Sequence, residues 1–304
     1  MTVVPGLLLL LALTLVEPVP HWLARARWAA RAPRPALVLW QAIGLSAGFA
    51  GIAAGVGYGV APLAGSIPDG VRLLAQQARQ GRPIDGLGPT QVVAILASLA
   101  LAARLTGMLA GAAGRMARDR HRHRVLVDLL SAPYADLGGA RVLEHPGTVA
   151  YCLPGLRSRV VLSAGAVRAL DPAELTAVLA HEHAHVAERH DLVVLPFVAW
   201  RAALPFLSGV RCAQPAVSAL IEMVADDRAR AAVGAGVLAS AIARVGTATA
   251  PRGALAVSGS PVLDRVARLL DPRPVPRWVP AAAYLGAATL VGFPVLLLLV
   301  PGGH

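Results

Sequence analysis

The feature that most constrains this chain is the gathering of its apolar residues into four blocks. A helix needs about 20 apolar residues to cross about 30 Å of hydrocarbon. The first block runs from Val3 to Val16 and reaches about residue 18 with its flank; no basic residue precedes it and no A-x-A-like site follows it, so it reads as a span rather than a cleaved signal peptide. The second, Ala36 to Leu63, carries glycines at 44, 48, 51, 55, 57 and 59, small residues that let helices approach closely in lipid. The third, Gln91 to Ala113, contains Arg104, which must face protein or snorkel to an interface. The fourth runs from Trp278 to Val300. Hydrophobic residues make up 56% of the 304 and charged residues 15%, with a mean hydropathy of +0.61. A soluble domain carries about 25% charge, so a bilayer is the expected partner.

The net charge is +11, and every one of the 28 basic residues is arginine. No recognition motif and no interleaved aromatics accompany that charge, which argues against nucleic-acid binding. The arginines collect beside the apolar blocks: Arg25, Arg27, Arg31 and Arg34; then Arg115, Arg118, Arg120, Arg122 and Arg124; then Arg265, Arg268, Arg273 and Arg277. Between the second and third blocks Arg72, Arg79 and Arg82 are offset by Asp69 and Asp85. The positive-inside effect assigns the three strong clusters to the cytoplasmic side of a multi-pass plasma-membrane protein with both termini outside. The expected organisation is a membrane region over 1–113 with spans near 3–18, 36–63 and 91–113, a cytoplasmic domain over 114–277, and a fourth span with a short tail over 278–304. His121 and His123, alternating with arginine, read as a solvated or headgroup face. Cys152 and Cys212 make no disulfide framework.

The cytoplasmic segment holds one sharp motif, His181-Glu182-His183-Ala184-His185. Asp171, Pro172 and Glu174 spell a helix start with a capping box, and nothing breaks the helix until about His190. On that helix His181 and His185 share a face and can grip one zinc ion. Glu182 beside them is placed to take a proton from water and pass it to a leaving amine, the H-E-x-x-H arrangement of zinc metallopeptidases. His183 is off that face and reads as packing or hydrogen bonding, and His190 with Asp191 as support for the helix end. A catalytic zinc needs a third ligand. Cys152 and Cys212 are candidates in principle; Glu222, in Glu222-Met-Val-Ala-Asp226-Asp227, is the better one, with Asp226 or Asp227 holding the far nitrogen of a ligand histidine. Arg228 and Arg230 are candidates to neutralise these acids or to hold an oxyanion. The apolar run 192–210 would put His181 and Glu222 on opposite sides if it crossed the bilayer, so it is expected as a membrane-associated hairpin. Arg159 to Ser163 reads as a short strand and a candidate edge for substrate docking.

These motifs, with Tyr151-Cys-Leu-Pro-Gly155, Arg159-Val-Val-Leu-Ser-Ala-Gly165 and the four spans, resemble the BlaR/MecR-type membrane metallopeptidases over most of the chain. The resemblance implies a mainly α membrane protein with a cytoplasmic α+β gluzincin-like zinc peptidase domain between spans three and four. It implies one zinc per chain on His181, His185 and Glu222, with Glu182 as base, and cleavage of a cytoplasmic protein, typically a winged-helix repressor or the protease itself. Arg252-Gly253 is a candidate for self-cleavage. Sensor members continue past the fourth span into a penicillin-binding domain with S-x-x-K chemistry; this chain stops four residues after Val300, so direct β-lactam sensing is not expected. Two other readings are an HtpX-like quality-control protease, to which the chain is also similar, and a non-catalytic membrane signalling scaffold.

Overall fold

The computed structural model describes residues 3–81, 86–133, 141–153, 159–249 and 261–299. Among these, four helices are long and apolar enough to cross a membrane. The first is made of two pieces. Helix α1 (Val3–Val16) has 14 residues, about 21 Å at ~1.5 Å per residue, which is short of the ~30 Å hydrocarbon core. After a break at Glu17 the chain resumes as α2 (Pro18–Ala24), and the combined apolar stretch is 22 residues, Val3–Ala24. Pro18 explains the break: it suits the first turn of a new helix and cannot continue an old one. The short α3 (Arg27–Arg31) leads to the second span, α4 (Pro33–Val60).

Helix α4 is the centre of the bundle, packed by α1, by α6 (Pro89–Leu130) and by α13 (Trp278–Leu299). Its glycines permit this. A Cβ on Gly55 would stand 2.1 Å from Ser98 Oγ and 3.0 Å from the Ala94 carbonyl of α6, so glycine alone admits the crossing. The amphipathic α5 (Ile67–Arg79) joins α4 to α6. Val4, Val60 and Leu297 line one small cavity, so the start of α1 and the ends of α4 and α13 lie together. Helix α6 does not stop at the apolar boundary near 113. Its 42 residues run unbroken into the basic stretch, because Ala, Arg, Leu and Met there favour helix and no proline intervenes.

Beyond α6 comes a four-stranded sheet of β1 (Ser131–Pro133), β2 (Arg141–Leu143), β3 (Ala150–Leu153) and β4 (Arg159–Ser163), in the order β1-β2-β4-β3. β4 is parallel to β2 and antiparallel to β3. The strand expected at 159–163 is therefore present, but it is not an edge open to substrate. Its Val160, Val161 and Leu162 are all buried, with Val160 and Leu162 in the helical core and Val161 against Val127 of α6. A continuous apolar run buried on both faces marks an inner strand; among the described residues the edges are β1 and β3.

The remaining elements are α7 (Ala164–Ala169), α8 (Pro172–Ala187), α9 (His190–Ala203), α10 (Ser208–Val233), α11 (Ala235–Thr249) and α12 (Pro261–Leu270). The apolar run near 192–210 forms the α9–α10 hairpin. Its helix α9 packs on α4 and α6, and α10 packs on α2 and α4. Trp40 of α4 meets Phe197 of α9 edge-on, with ring centroids 6.2 Å apart. Arg104 turns toward protein and donates from Nε to the Ala203 carbonyl at 2.6 Å. Glu17, at the break in the first span, accepts from Ser208 N (2.9 Å), Ser208 Oγ (2.8 Å) and Gly209 N (3.1 Å), and so caps α10 from another helix. Two larger apolar cores stand out among the described residues. One joins α1, α2 and α4 to α9 and α10; the other joins β4 to α8, α11, α12 and the last turns of α10. Helix α10 belongs to both, which ties the membrane bundle to the segment with the histidines. Arg82, Asp85, Pro154, Gly155 and the Arg252-Gly253 bond lie outside the described residues.

Candidate metal centre

Helix α8 begins as its sequence dictates. Asp171 Oδ1 accepts from Glu174 N at 2.8 Å, Glu174 Oε2 accepts from Asp171 N at 3.1 Å, and Pro172 occupies the first turn. The helix ends at Ala187, earlier than the expected His190. Arg189 takes a left-handed φ of 48° and His190 opens α9, because the chain turns there into the hairpin.

One turn apart on α8, His181 and His185 bring their Nε2 atoms to 3.1 Å of each other. From α10, Glu222 presents Oε2 at 3.4 Å from His181 Nε2 and Oε1 at 3.5 Å from His185 Nε2. Two imidazole nitrogens and a carboxylate facing one point need a shared proton or a cation between them. Ligands bound tetrahedrally at ~2.0–2.1 Å stand about 3.3 Å apart, which the 3.1, 3.4 and 3.5 Å separations match. The residues present therefore fit a zinc ion.

Each ligand is held from behind. Asp226, fully buried, places Oδ1 at 3.0 Å from His181 Nδ1. Arg265 of α12 donates from Nε to Asp226 Oδ2 at 2.8 Å and from Nη2 to Asp226 Oδ1 at 2.7 Å, and its Nη1 lies 3.0 Å from Glu222 Oε2. Behind His185, its Nδ1 is 2.9 Å from His190 Nδ1, and His190 Nε2 is 3.6 Å from Glu188. With His185 Nε2 turned to the cluster, its Nδ1 carries the proton and donates to His190. Glu188 in turn pairs with Arg34 of α4 and, at 3.1 Å, with Arg228 of α10. A second link, Arg120 to Asp191, joins α6 to α9.

The two carboxylates favour positive charge at this cluster. Burial opposes charge on His181, but the hydrogen bonds to Asp226 and Glu222 overcome it and push its pKa up to about 9. Burial pulls His185 down to about 4 and lowers His190 as well. Burial also works against the Glu222 and Asp226 carboxylates, yet His181 and Arg265 keep both below the usual range. Glu182 is half-buried on the same turn as His181, and its negative charge acts on Arg265.

Other residues singled out from the sequence stand elsewhere. Cys212 donates its S–H to the Gly209 carbonyl in the hairpin, and the Cys152 side chain is outside the described residues. His183 is exposed rather than packed. Asp227 pairs with Arg268 at 2.6 Å instead of reaching a histidine. His121 and His123 are exposed, and His123 also stands 2.9 Å from the Tyr151 hydroxyl, a contact between α6 and β3. Arg265 and Arg268, which sequence position counts only as charges flanking the fourth span, are committed to the acids of α10. A basic residue three positions from another at the right helical face could have flagged the pair, but not its partners.

Residues 116–264 match the model of Peptidase family M48. That stretch holds the sheet, α8 with its histidines, and α10 with Glu222 and Asp226. The match supports a membrane-associated metallopeptidase, and peptidases of this family are generally zinc enzymes. It speaks to peptidase chemistry and not to a BlaR/MecR-type regulator. No curated protein and no solved structure matches the chain significantly.

Proposed function

We propose that this chain is a membrane-embedded zinc metalloendopeptidase acting on a cytoplasmic protein. The observation that carries this reading is the convergence of His181, His185 and Glu222 on one point, with Glu182 on the same helical turn. These three side chains would hold the metal. A zinc ion held there would supply Lewis-acid chemistry for peptide hydrolysis. Glu182 takes the proton of the attacking water and returns it to the leaving nitrogen. Asp226 fixes the tautomer of His181, so that its Nε2 lone pair faces the cluster, and His190 does the same for His185. Arg265 holds Glu222 and Asp226 against each other's repulsion.

Substrate backbone has a docking edge in β3 rather than β4. β3 packs against α8, and among the described residues only its β4 side is paired. An extended peptide added antiparallel to β3 runs beside the histidine helix. The arginine clusters favour a cytoplasmic address for this face in a multi-pass plasma-membrane protein, and the BlaR/MecR-type resemblance supports a winged-helix repressor, or the protease itself, as the substrate proposed.

The test compares cytoplasmic and membrane proteins from cells carrying the wild-type or the Glu182→Gln chain. The proposal expects a discrete fragment that is absent with Glu182→Gln although the variant still holds zinc. Identical fragments from both chains would remove Glu182 as base. Broad loss of many membrane proteins would replace the regulator by the HtpX-like quality-control reading, while leaving the zinc chemistry in place.

A further inference from the structure

A second concavity of about 710 Å³ lies on a different face of α10 from Glu222 and Asp226, between α3, α10, α12 and the segment leading into α13. Five arginines and three aspartates line it, an excess of two positive charges (five minus three). Two of the acids are already satisfied: Asp227 pairs with Arg268 at 2.6 Å and Asp271 with Arg273 at 3.0 Å. That leaves Arg27, Arg31 and Arg230 with no ion-pair partner among the described residues, facing one further acid, Asp264. Three arginines converging on one hollow cost repulsion unless an anion joins them.

Position narrows the anion to one carried by the bilayer. Helix α3 is the elbow between the first two spans, and Pro280, which also lines the hollow, lies in the first turn of the fourth. Trp22 and Trp278 stand at this end of the bundle, 64% and 69% exposed, the place where tryptophan sits at headgroup level. Pro272, Pro274 and Val275 give the hollow an apolar wall suited to a glycerol backbone. An extended polyanion needs a track of charge; here the charge converges on a single concavity beside span ends, the arrangement in which basic pockets hold lipid headgroups.

We infer that this concavity binds the headgroup of an anionic phospholipid, with its phosphate against Arg27, Arg31 and Arg230. The site bears on the metal centre through α12. Arg268 donates to the Ala30 carbonyl at 2.6 Å and so fixes α12 to the elbow, while Arg265, one turn earlier, holds Asp226 and Glu222. A lipid closing the hollow tightens the contact that sets Arg265.

The full chain, reconstituted with phosphatidylcholine containing a minority of phosphatidylglycerol, is extracted in detergent and its retained lipids are counted by native mass spectrometry. The expected result is selective retention of phosphatidylglycerol by the wild type, weakened roughly tenfold or more in Arg27→Gln/Arg31→Gln/Arg230→Gln, on the scale of arginine–lipid attraction. The comparison chain, Arg115→Gln/Arg118→Gln/Arg122→Gln, loses the same charge from α6 and is expected to keep its lipid. Equal loss in both triple variants, no preference in the wild type, or displacement of the lipid by inorganic phosphate at equal concentration would each overturn the assignment. If the first triple variant does not fold, Arg31→Gln alone, on an exposed helix end, carries the test, with partial loss expected and full retention refuting it.

Discussion

Replacing Asp226 by alanine separates what this residue does for the fold from what it does for the metal. Its carboxylate, fully buried, touches Arg265 at 2.7 and 2.8 Å and His181 at 3.0 Å. Asp226→Ala strands the Arg265 guanidinium, whose side chain is only 16% exposed. Removing one partner of a buried pair costs about 3–5 kcal/mol. Arg265 keeps Glu222 at 3.0 Å, so the lower end, about 3 kcal/mol, is expected, seen as a fall of several degrees in the tryptophan-monitored melting temperature. Zinc suffers separately, because His181 loses the group that sets its tautomer and its basicity. Loss of such a partner weakens metal binding roughly 10–100-fold, about 1.4–2.7 kcal/mol.

The double variant Asp226→Ala/Arg265→Met decides between the two effects. With both charges gone from the interior, most of the lost stability returns, while zinc stays weak in competition against a chromophoric chelator. Tight zinc in Asp226→Ala refutes the positioning role. A double variant as unstable as the single one refutes the stranded-charge account.

Three further outcomes follow from the same contacts. Glu17→Ala removes the carboxylate that receives the first N–H groups of α10 and lowers stability by about 1–2 kcal/mol, with the melting temperature as the measure; an unchanged value denies the cross-helix cap. Gly55→Ala drives a methyl to 2.1 Å from Ser98 Oγ and costs about 1–3 kcal/mol, partly recovered by Ser98→Gly; failure of that recovery places the strain elsewhere. Asp171→Ala opens the capping box of α8 for about 1 kcal/mol in thermal unfolding while leaving zinc content unchanged, and loss of zinc would show that the cap also sets the site.

Local chemistry made parts of this molecule legible in advance. Hydropathy marks the spans because lipid demands long apolar helices, and Asp171, Pro172 and Glu174 announce α8 because helix ends must satisfy their own N–H groups. The four-residue spacing of His181 and His185 puts both on one face whatever surrounds them. What sequence does not carry is contact between distant segments. Arg265 meets Asp226 across 39 residues and a change of helix, and nothing in either neighbourhood names the other. The inner place of β4 depends on which strands flank it, and the route from His185 through His190 and Glu188 to Arg34 depends on the left-handed turn at Arg189. The first span looked short because Pro18 ends α1 yet starts α2, a distinction that needs the fold to draw.

On the proposed reading, His181, His185 and Glu222 form one zinc site to which Glu182 contributes chemistry but no bond. Zinc content of the purified full chain, by elemental analysis against protein concentration, tests it most directly. One zinc per chain is expected in the wild type and in Glu182→Gln, and sharply less in His185→Ala and Glu222→Ala. A wild type that holds no zinc, or a Glu222→Ala chain that remains fully loaded, would contradict it.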